Sequence, residues 1–191
     1  MKVGILGGMF DPIHLGHLRA AEIARDGLGL DEVLFVPAGL PPHRKPPAAG
    51  PLDRFAMVAL GTSARRAFVP SDLELRREGP SYTVETVAAV RESRPRAEVV
   101  LIVGSDNLPM IPQWRDPERL LDLCTLAVVE RPGPARAEAE GVPRGRLRRL
   151  QGDALPIASR DVRETIRRGG SARALLPEGV ADYIEKRGLY R

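Results

Sequence analysis

Short apolar runs alternate along this chain with longer stretches whose apolar residues recur every three or four positions. Val3 to Leu6, bounded by glycines, reads as a buried strand. Gly7-Gly8-Met9-Phe10-Asp11-Pro12 then reads as loop, because two glycines and a proline interrupt either regular structure. From Leu15 to Leu28 the positions Leu15, Leu18, Ala21, Ile23 and Ala24 fall at helical spacing, and Gly27 and Gly29 close the helix. Val33 to Val36 is a second strand, which completes the strand–helix–strand unit of a parallel sheet. Pro37 to Pro51 holds six prolines, a long connector that is either a functional loop or a disordered one.

The alternation continues. Leu52 to Ser63 reads as a helix with Phe55, Met57, Val58 and Leu60 as its apolar content. Phe68 to Leu75 is strand-like, Thr83 to Arg94 an amphipathic helix, and Val99 to Val103 the clearest strand in the chain. A helix over Pro117 to Leu123 and a strand over Thr125 to Val129 follow. Arg131 to Arg146, rich in Pro, Gly, Ala and Arg, reads as a surface loop, and helices over Asp161 to Arg168 and Val180 to Arg187 close the sequence. With no repeat and no linker between two cores, the expectation is one α/β domain over residues 1–191. It is doubly wound on a mostly parallel sheet, with residues 157–191 as a helical C-terminal part.

Composition narrows the picture slightly. Hydrophobic residues make up 43% of the 191, enough for a core of ordinary size. No apolar run approaches the roughly 18 residues that span a bilayer, and the first residues do not read as a signal peptide. The single cysteine, Cys124, excludes a disulfide framework or a Cys-rich metal site; in its apolar run it reads as a small buried residue. A soluble, cytoplasmic protein is expected. The net charge is +4, and nearly all the base is arginine, lysine occurring only at Lys2, Lys45 and Lys186. Arginine matches phosphate bidentately, which leaves phosphorylated small molecules and nucleic acid both open.

The chemistry-bearing residues gather at strand ends. All three histidines, His14, His17 and His43, lie in the two loops that follow the first two strands, the edge where open α/β sheets bind ligands. His14-Leu15-Gly16-His17 sets two imidazoles across the start of the first helix, where free amides and the positive end of the dipole favour an anion. Gly7 and Gly8 let backbone approach that ligand closely. A His-x-x-His pair can also be half of a metal site, but a carboxylate would have to complete it, with Asp11 or Asp106 as the possibilities; no protein-held metal is expected. The glycines fit neither a Walker loop nor the dinucleotide fingerprint. Arg144, Arg146, Arg148 and Arg149 form the one basic run and read as solvated surface.

Gly7-Gly8-Met9-Phe10-Asp11-Pro12-Ile13-His14-Leu15-Gly16-His17 resembles the His-x-Gly-His signature of the nucleotidyltransferase superfamily. Further motifs look like those of bacterial nicotinate-nucleotide adenylyltransferases: Pro41-Pro42-His43-Arg44, Pro80-Ser81-Tyr82-Thr83, Gly104-Ser105-Asp106-Asn107 with Trp114, and Glu130-Arg131-Pro132-Gly133. Ile157 to Arg163, Leu175-Leu176-Pro177, Tyr183-Ile184 and Gly188-Leu189-Tyr190-Arg191 match as well. The likeness runs in order from residue 3 to 191, leaving mainly Pro134 to Leu155 unmatched.

This resemblance implies a Rossmann-like nucleotidyltransferase fold and adenylyl transfer from ATP to nicotinate mononucleotide, giving nicotinate adenine dinucleotide and pyrophosphate within NAD biosynthesis. It implies His14, His17 and Arg163 as catalytic residues, and Mg²⁺ carried in with ATP. On the ATP side it implies Gly7, Gly8, Met9, Phe10, Gly16, Gly104, Asp106, Ile157 and Ser159. On the acceptor side it implies His43, Arg44, Ser81, Tyr82, Thr83, Trp114 and Arg131. Ser81-Tyr82-Thr83 looks like a helix cap whose amides could accept the nicotinate carboxylate, and Trp114 could stack on the pyridine. Where the family pattern is Ile-Ser-Ser-Thr-x-x-Arg, this chain has Ala158 and Arg160. The missing hydroxyls leave Arg160 either supplying charge in their place or simply solvated. Asp106 reads as a ribose or adenine acceptor, a helix N-cap, or both.

Neither nucleic acid nor membrane is expected as a partner, and a homo-oligomer is left open. The rival readings are another adenylyltransferase, such as phosphopantetheine adenylyltransferase, and a non-catalytic nucleotide- or RNA-binding module. The latter is disfavoured by an aromatic content of 4%, few residues for base stacking.

Overall fold

The computed structural model describes residues 1–40, 46–130 and 141–191. Six strands, β1 (Lys2–Gly8), β2 (Glu32–Pro37), β3 (Phe68–Pro70), β4 (Glu98–Gly104), β5 (Thr125–Val129) and β6 (Leu147–Leu150), form one sheet in the order β3-β2-β1-β4-β5-β6. Every pairing is parallel. The order reverses direction between β1 and β4, and a doubly wound sheet opens a ligand crevice at the C-terminal ends of its strands at that point.

Strand alternation sorts the core into two layers. Val3 and Ile5 of β1, Leu34 and Val36 of β2, and Leu101 and Val103 of β4 face α3 (Thr83–Ser93) and α4 (Pro117–Leu123) through Val84, Val87, Val90, Leu120 and Leu121. Leu6, Val33, Phe35, Val100 and Ile102 face the other way. There they meet α1 (Leu15–Leu28), α2 (Pro51–Thr62), α5 (Ser159–Arg167) and α6 (Glu178–Arg187). Each aliphatic side chain buried this way contributes about 1.5–3 kcal/mol. Cys124 is buried, as its apolar run implies. Among the described residues no helix is long and apolar enough to cross a membrane.

The structure corrects several expectations. Gly7 and Gly8 are strand rather than loop, since β1 continues in register to Gly7↔Val36 and Gly8↔Pro37. The strand-like stretch after Phe68 pairs only as far as Pro70, which has no N–H to carry the ladder on. On α2 the buried positions include Arg54, Met57, Val58 and Gly61, so an arginine lies on the apolar face while Leu60 is exposed. A sixth strand, β6, runs through the basic stretch; Arg148 is exposed, but Arg149 is half-buried and donates to Glu130 Oε1 at 2.7 Å. The expected loop over Arg131 to Arg146 lies outside the described residues up to 140 and ends in a 3₁₀ turn, Arg144–Arg146.

Candidate active site

The site grows from the end of β1. Phe10 takes a left-handed backbone (φ 46°), which reverses the chain at the sheet edge and drives its ring into the core, 5.9 Å from the Phe35 ring and 5.0 Å from the His17 ring. A bulky residue in that region is strained and persists only when its surroundings hold it. Four side chains do so. Arg54 Nη1 donates to Met9 O at 2.9 Å, Arg163 Nη1 to Asp11 O at 2.6 Å, and Ser159 Oγ to Pro12 O at 2.9 Å. The fourth is the buried Asp11 carboxylate, which accepts the Ala48 and Ala49 amides at 2.8 and 3.0 Å and the Tyr190 hydroxyl at 2.8 Å. Burial pushes the Arg54 guanidinium below its ordinary range, with Asp11 opposing that shift.

This braced loop delivers the histidines to the start of α1. His14 is the extended N-cap residue (φ −143°, ψ 171°) and His17 the third helical residue. The His14 amide donates to His17 Nδ1 at 3.2 Å. With Nδ1 accepting, the ring proton of neutral His17 sits on Nε2, which leaves that atom a donor. The two rings stack with centroids 3.7 Å apart. Gly16 makes the arrangement possible: a Cβ there would lie 3.0 Å from His14 Nδ1 and 3.2 Å from the Leu155 carbonyl oxygen. The first turn of α1 carries no acidic residue, so the positive end of a 14-residue helix is not neutralised locally.

Other expected residues fall around this point. Gly7 and Gly8 end β1, and Met9 is half-buried beside it; Phe10 is 1% exposed, so only its backbone can meet a ligand. Gly104 ends β4 and leads into a 3₁₀ segment, Ser105–Gln113. Asp106 is exposed in the first turn of that segment, whose N-cap is Gly104, so the N-cap reading of Asp106 is corrected. Ile157 is half-buried ahead of α5. Arg160 points to solvent beside Asp161 at 3.2 Å, which favours the solvated reading over a replacement phosphate ligand.

A second cluster forms where β2 ends. Gly39 lies against both Glu74 and Ser81, so that a Cβ would come within 2.5 Å of Glu74 O and 2.7 Å of Ser81 Oγ. The Ser81 amide donates to Leu40 O at 3.0 Å. Tyr82 is the N-cap of α3 and Thr83 its first residue, but no side chain caps the helix. The cap expected over Ser81-Tyr82-Thr83 is therefore made by backbone, the Tyr82 carbonyl accepting the Glu85 and Thr86 amides at 3.0 and 3.2 Å, while Ser81 Oγ is buried with no hydrogen-bond partner. Trp114 caps the 3₁₀ segment, half-buried against the β4–α3 layer, and the Arg115 guanidinium lies 4.6 Å above the Tyr82 ring. The acceptor-side motifs are thus brought together from α3 and the 3₁₀ segment. His43, Arg44 and Arg131 lie outside the described residues.

Sequence reasoning assigned no role to Arg54, Glu74 or Arg115, and showed Tyr190 only as part of a matching motif with no role attached. Arg54 had a legible signal, its helical spacing with Met57, Val58 and Gly61. Glu74 did not; its carboxylate accepts from Thr86 Oγ1 at 2.7 Å and the Gly39 amide at 3.3 Å, contacts made only by folding.

A parallel sheet whose switch point holds a stacked histidine pair at a helix N-terminus, with Arg163 hydrogen-bonded to the loop that leads into it, is the frame of a nucleotidyltransferase. The chain belongs to the cytidylyltransferase-like family, whose model matches residues 5–165. Its place there is among the nicotinate-nucleotide adenylyltransferases. A protein of Aeromonas salmonicida (strain A449), named a probable nicotinate-nucleotide adenylyltransferase, is 41% identical over 99% of this chain and 97% of its own. One of the same name from Tropheryma whipplei (strain Twist) is 40% identical over 97% and 98%. In fold the chain is similar to a Plasmodium falciparum nicotinic acid mononucleotide adenylyltransferase complexed with NaAD, with TM-score 0.82, 19% identity, and 99% and 97% of the two chains covered.

Proposed function

We propose that this enzyme joins the adenylyl group of ATP to the 5′-phosphate of nicotinate mononucleotide, forming nicotinate adenine dinucleotide and pyrophosphate. A phosphate oxygen of the mononucleotide forms a bond to the α-phosphorus, and the bond from that phosphorus to the bridging oxygen breaks, its electron pair leaving with pyrophosphate. The observation that carries this reading is the stacked His14–His17 pair at the N-terminus of α1, at the switch point of the sheet.

The chemistry needs positioning and charge stabilisation, and the residues suit it. His17 Nε2–H donates to an α- or β-phosphoryl oxygen, and His14 lies against it. Arg163 already spends one N–H on Asp11 O, and its side chain is 26% exposed, leaving guanidinium edge for the triphosphate. Gly7, Gly8, Met9, Gly104 and Asp106 line the strand ends where the nucleotide lies. Ser159 is bound to Pro12 O and shapes the loop rather than holding phosphate by its hydroxyl. Mg²⁺ enters on the triphosphate. The Asp11 carboxylate is engaged by two amides and a phenol, which suits an ion held by phosphate oxygens and water rather than by protein.

On the acceptor side, the first amides of α3 receive the nicotinate carboxylate, and Trp114 packs on the pyridine. Residues 1–191 work as one cytoplasmic nucleotidyltransferase domain, with 157–191 its helical C-terminal part.

The test is pyrophosphate release from Mg-ATP with nicotinate mononucleotide, nicotinamide mononucleotide and phosphopantetheine offered in turn. Release with the first well above the other two is expected. Equal release with both pyridine nucleotides would discard the carboxylate recognition, and silence with both would discard the reaction.

A further inference from the structure

We propose that Tyr190 and Asp11 are positioning residues for the reaction, together fixing the loop that presents His14 and His17 from the far end of the chain. The proposal rests on the reaction assigned above and adds two residues to it.

The tail is built to reach the loop. Gly188, at φ 63°, ends α6, and the Leu189 amide returns to Ile184 O at 3.1 Å. Tyr190 then takes φ 68°, a conformation that a tyrosine adopts only when its contacts hold it there. Its hydroxyl donates to Asp11 Oδ1 at 2.8 Å, with Met57 Sδ 3.9 Å away. Burial, with the Asp11 charge adding to it, pushes the phenol well above its ordinary range, so the group remains a donor at working pH.

Asp11 distributes that hold. Its side chain is 6% exposed. Oδ1 also accepts the Ala49 amide and Oδ2 the Ala48 amide, while Arg163 Nη1 stands 3.8 Å from Oδ2. One carboxylate therefore ties the β1–α1 loop, the segment ahead of α2, the helix bearing Arg163 and the chain's last residues. Losing the phenol donor leaves Oδ1 one partner short in a buried setting, which shifts the carboxylate towards its remaining donors and with it the backbone three residues before His14.

The molecule supplies its own control. Tyr183, seven residues earlier and on α6, donates to Asp53 Oδ1 of α2 at 2.8 Å, the same phenol-to-carboxylate chemistry but clear of the histidine loop.

The experiment compares Tyr190→Phe and Tyr183→Phe in the full chain. It reads kcat, KM for each substrate, the thermal midpoint, and the Kd of a non-hydrolysable ATP analogue. Tyr190→Phe should lose a few degrees of midpoint and Tyr183→Phe less, because Asp53 is the more exposed carboxylate and keeps Arg187, so the comparison is made on kcat and Kd of the folded enzymes. Tyr190→Phe should lower kcat about tenfold and raise the analogue Kd several-fold, with KM for nicotinate mononucleotide unchanged. Tyr183→Phe should stay within about twofold of the parent in kcat and Kd. Asp11→Asn, which turns an acceptor into a donor facing the Ala48 amide, should repeat the Tyr190→Phe pattern more strongly.

A Tyr190→Phe enzyme within twofold of the parent in kcat and Kd, or equal losses in the two tyrosine variants, overturns the proposal and leaves Tyr190 a packing residue. A parent enzyme silent with nicotinate mononucleotide overturns the assigned reaction instead, and the analogue Kd still decides whether Tyr190 positions the nucleotide loop.

Discussion

Replacing Gly16 with alanine sets helix stability against site geometry at one atom. As a helix residue, alanine is favoured over glycine by up to about 1 kcal/mol, less in the first turn where Gly16 lies. Opposing this, the new Cβ would sit 3.0 Å from His14 Nδ1, 3.1 Å from its Cε1 and 3.2 Å from Leu155 O, each a few tenths of an ångström too close. Leu155 O accepts the Ile157 amide at 2.8 Å and is poorly placed to withdraw. His14 is 2% exposed and its ring is stacked on His17, so the ring must tilt out of that stack. A displacement near 1 Å of a reacting group costs about 100-fold in rate, so a few tenths should cost about tenfold, or about 1.4 kcal/mol of activation free energy. The assay is initial-rate pyrophosphate release beside a thermal melt. Gly16→Ala should melt within a few degrees of the parent while kcat falls about tenfold. A variant with kcat within twofold of the parent and an unaltered melt would refute the claim that Gly16 sets the His14 ring.

Three other outcomes are expected. His17→Ala should lower kcat by 100-fold or more while the protein remains folded, read by rate and far-ultraviolet circular dichroism, because in the proposed reaction it removes a donor realised in the transition state. Trp114→Ala should raise KM for nicotinate mononucleotide with little change in KM for ATP. Burial pushes the Cys124 thiol up to about 12 from an ordinary 9.0, so the native state favours the neutral form. Its contribution to stability is complete below pH 9 and fades as the pH rises towards 12, and Cys124→Ala should flatten that alkaline loss in urea titrations read against pH.

What could be read from the sequence depended on how each element is buried. Val99 to Val103 and Thr125 to Val129 are covered on both faces, so they stand out as unbroken apolar runs. β6 is an edge strand with two leucines flanking two arginines, and nothing in that pattern separates it from solvated loop. The glycines ending β1 looked like punctuation because their only strand signal is the pairing with β2, which is supplied by another part of the chain. The histidine pair and Arg163 were legible because a short motif carries them. Spacing on α2 marks Arg54 as inward-facing, but its partner Met9 O, like the partner Asp11 of Tyr190, follows from no local pattern; the two contacts span 45 and 179 residues.

Those long spans govern how the enzyme fails. Asp11 is tied to Ala48, Arg163 and Tyr190 over separations of 37, 152 and 179 residues, whereas the central strands hold one another through continuous parallel ladders. A motion that lifts α5, α6 and the tail away from α2 would break the long ties and leave the sheet intact, and such sub-global opening costs less than complete unfolding. In urea, turnover should therefore disappear ahead of the circular dichroism transition, and amides of the C-terminal helices should exchange with deuterium sooner than those of β1 and β4. If nucleotide binds at the braced loop as proposed, its addition should draw the two transitions together.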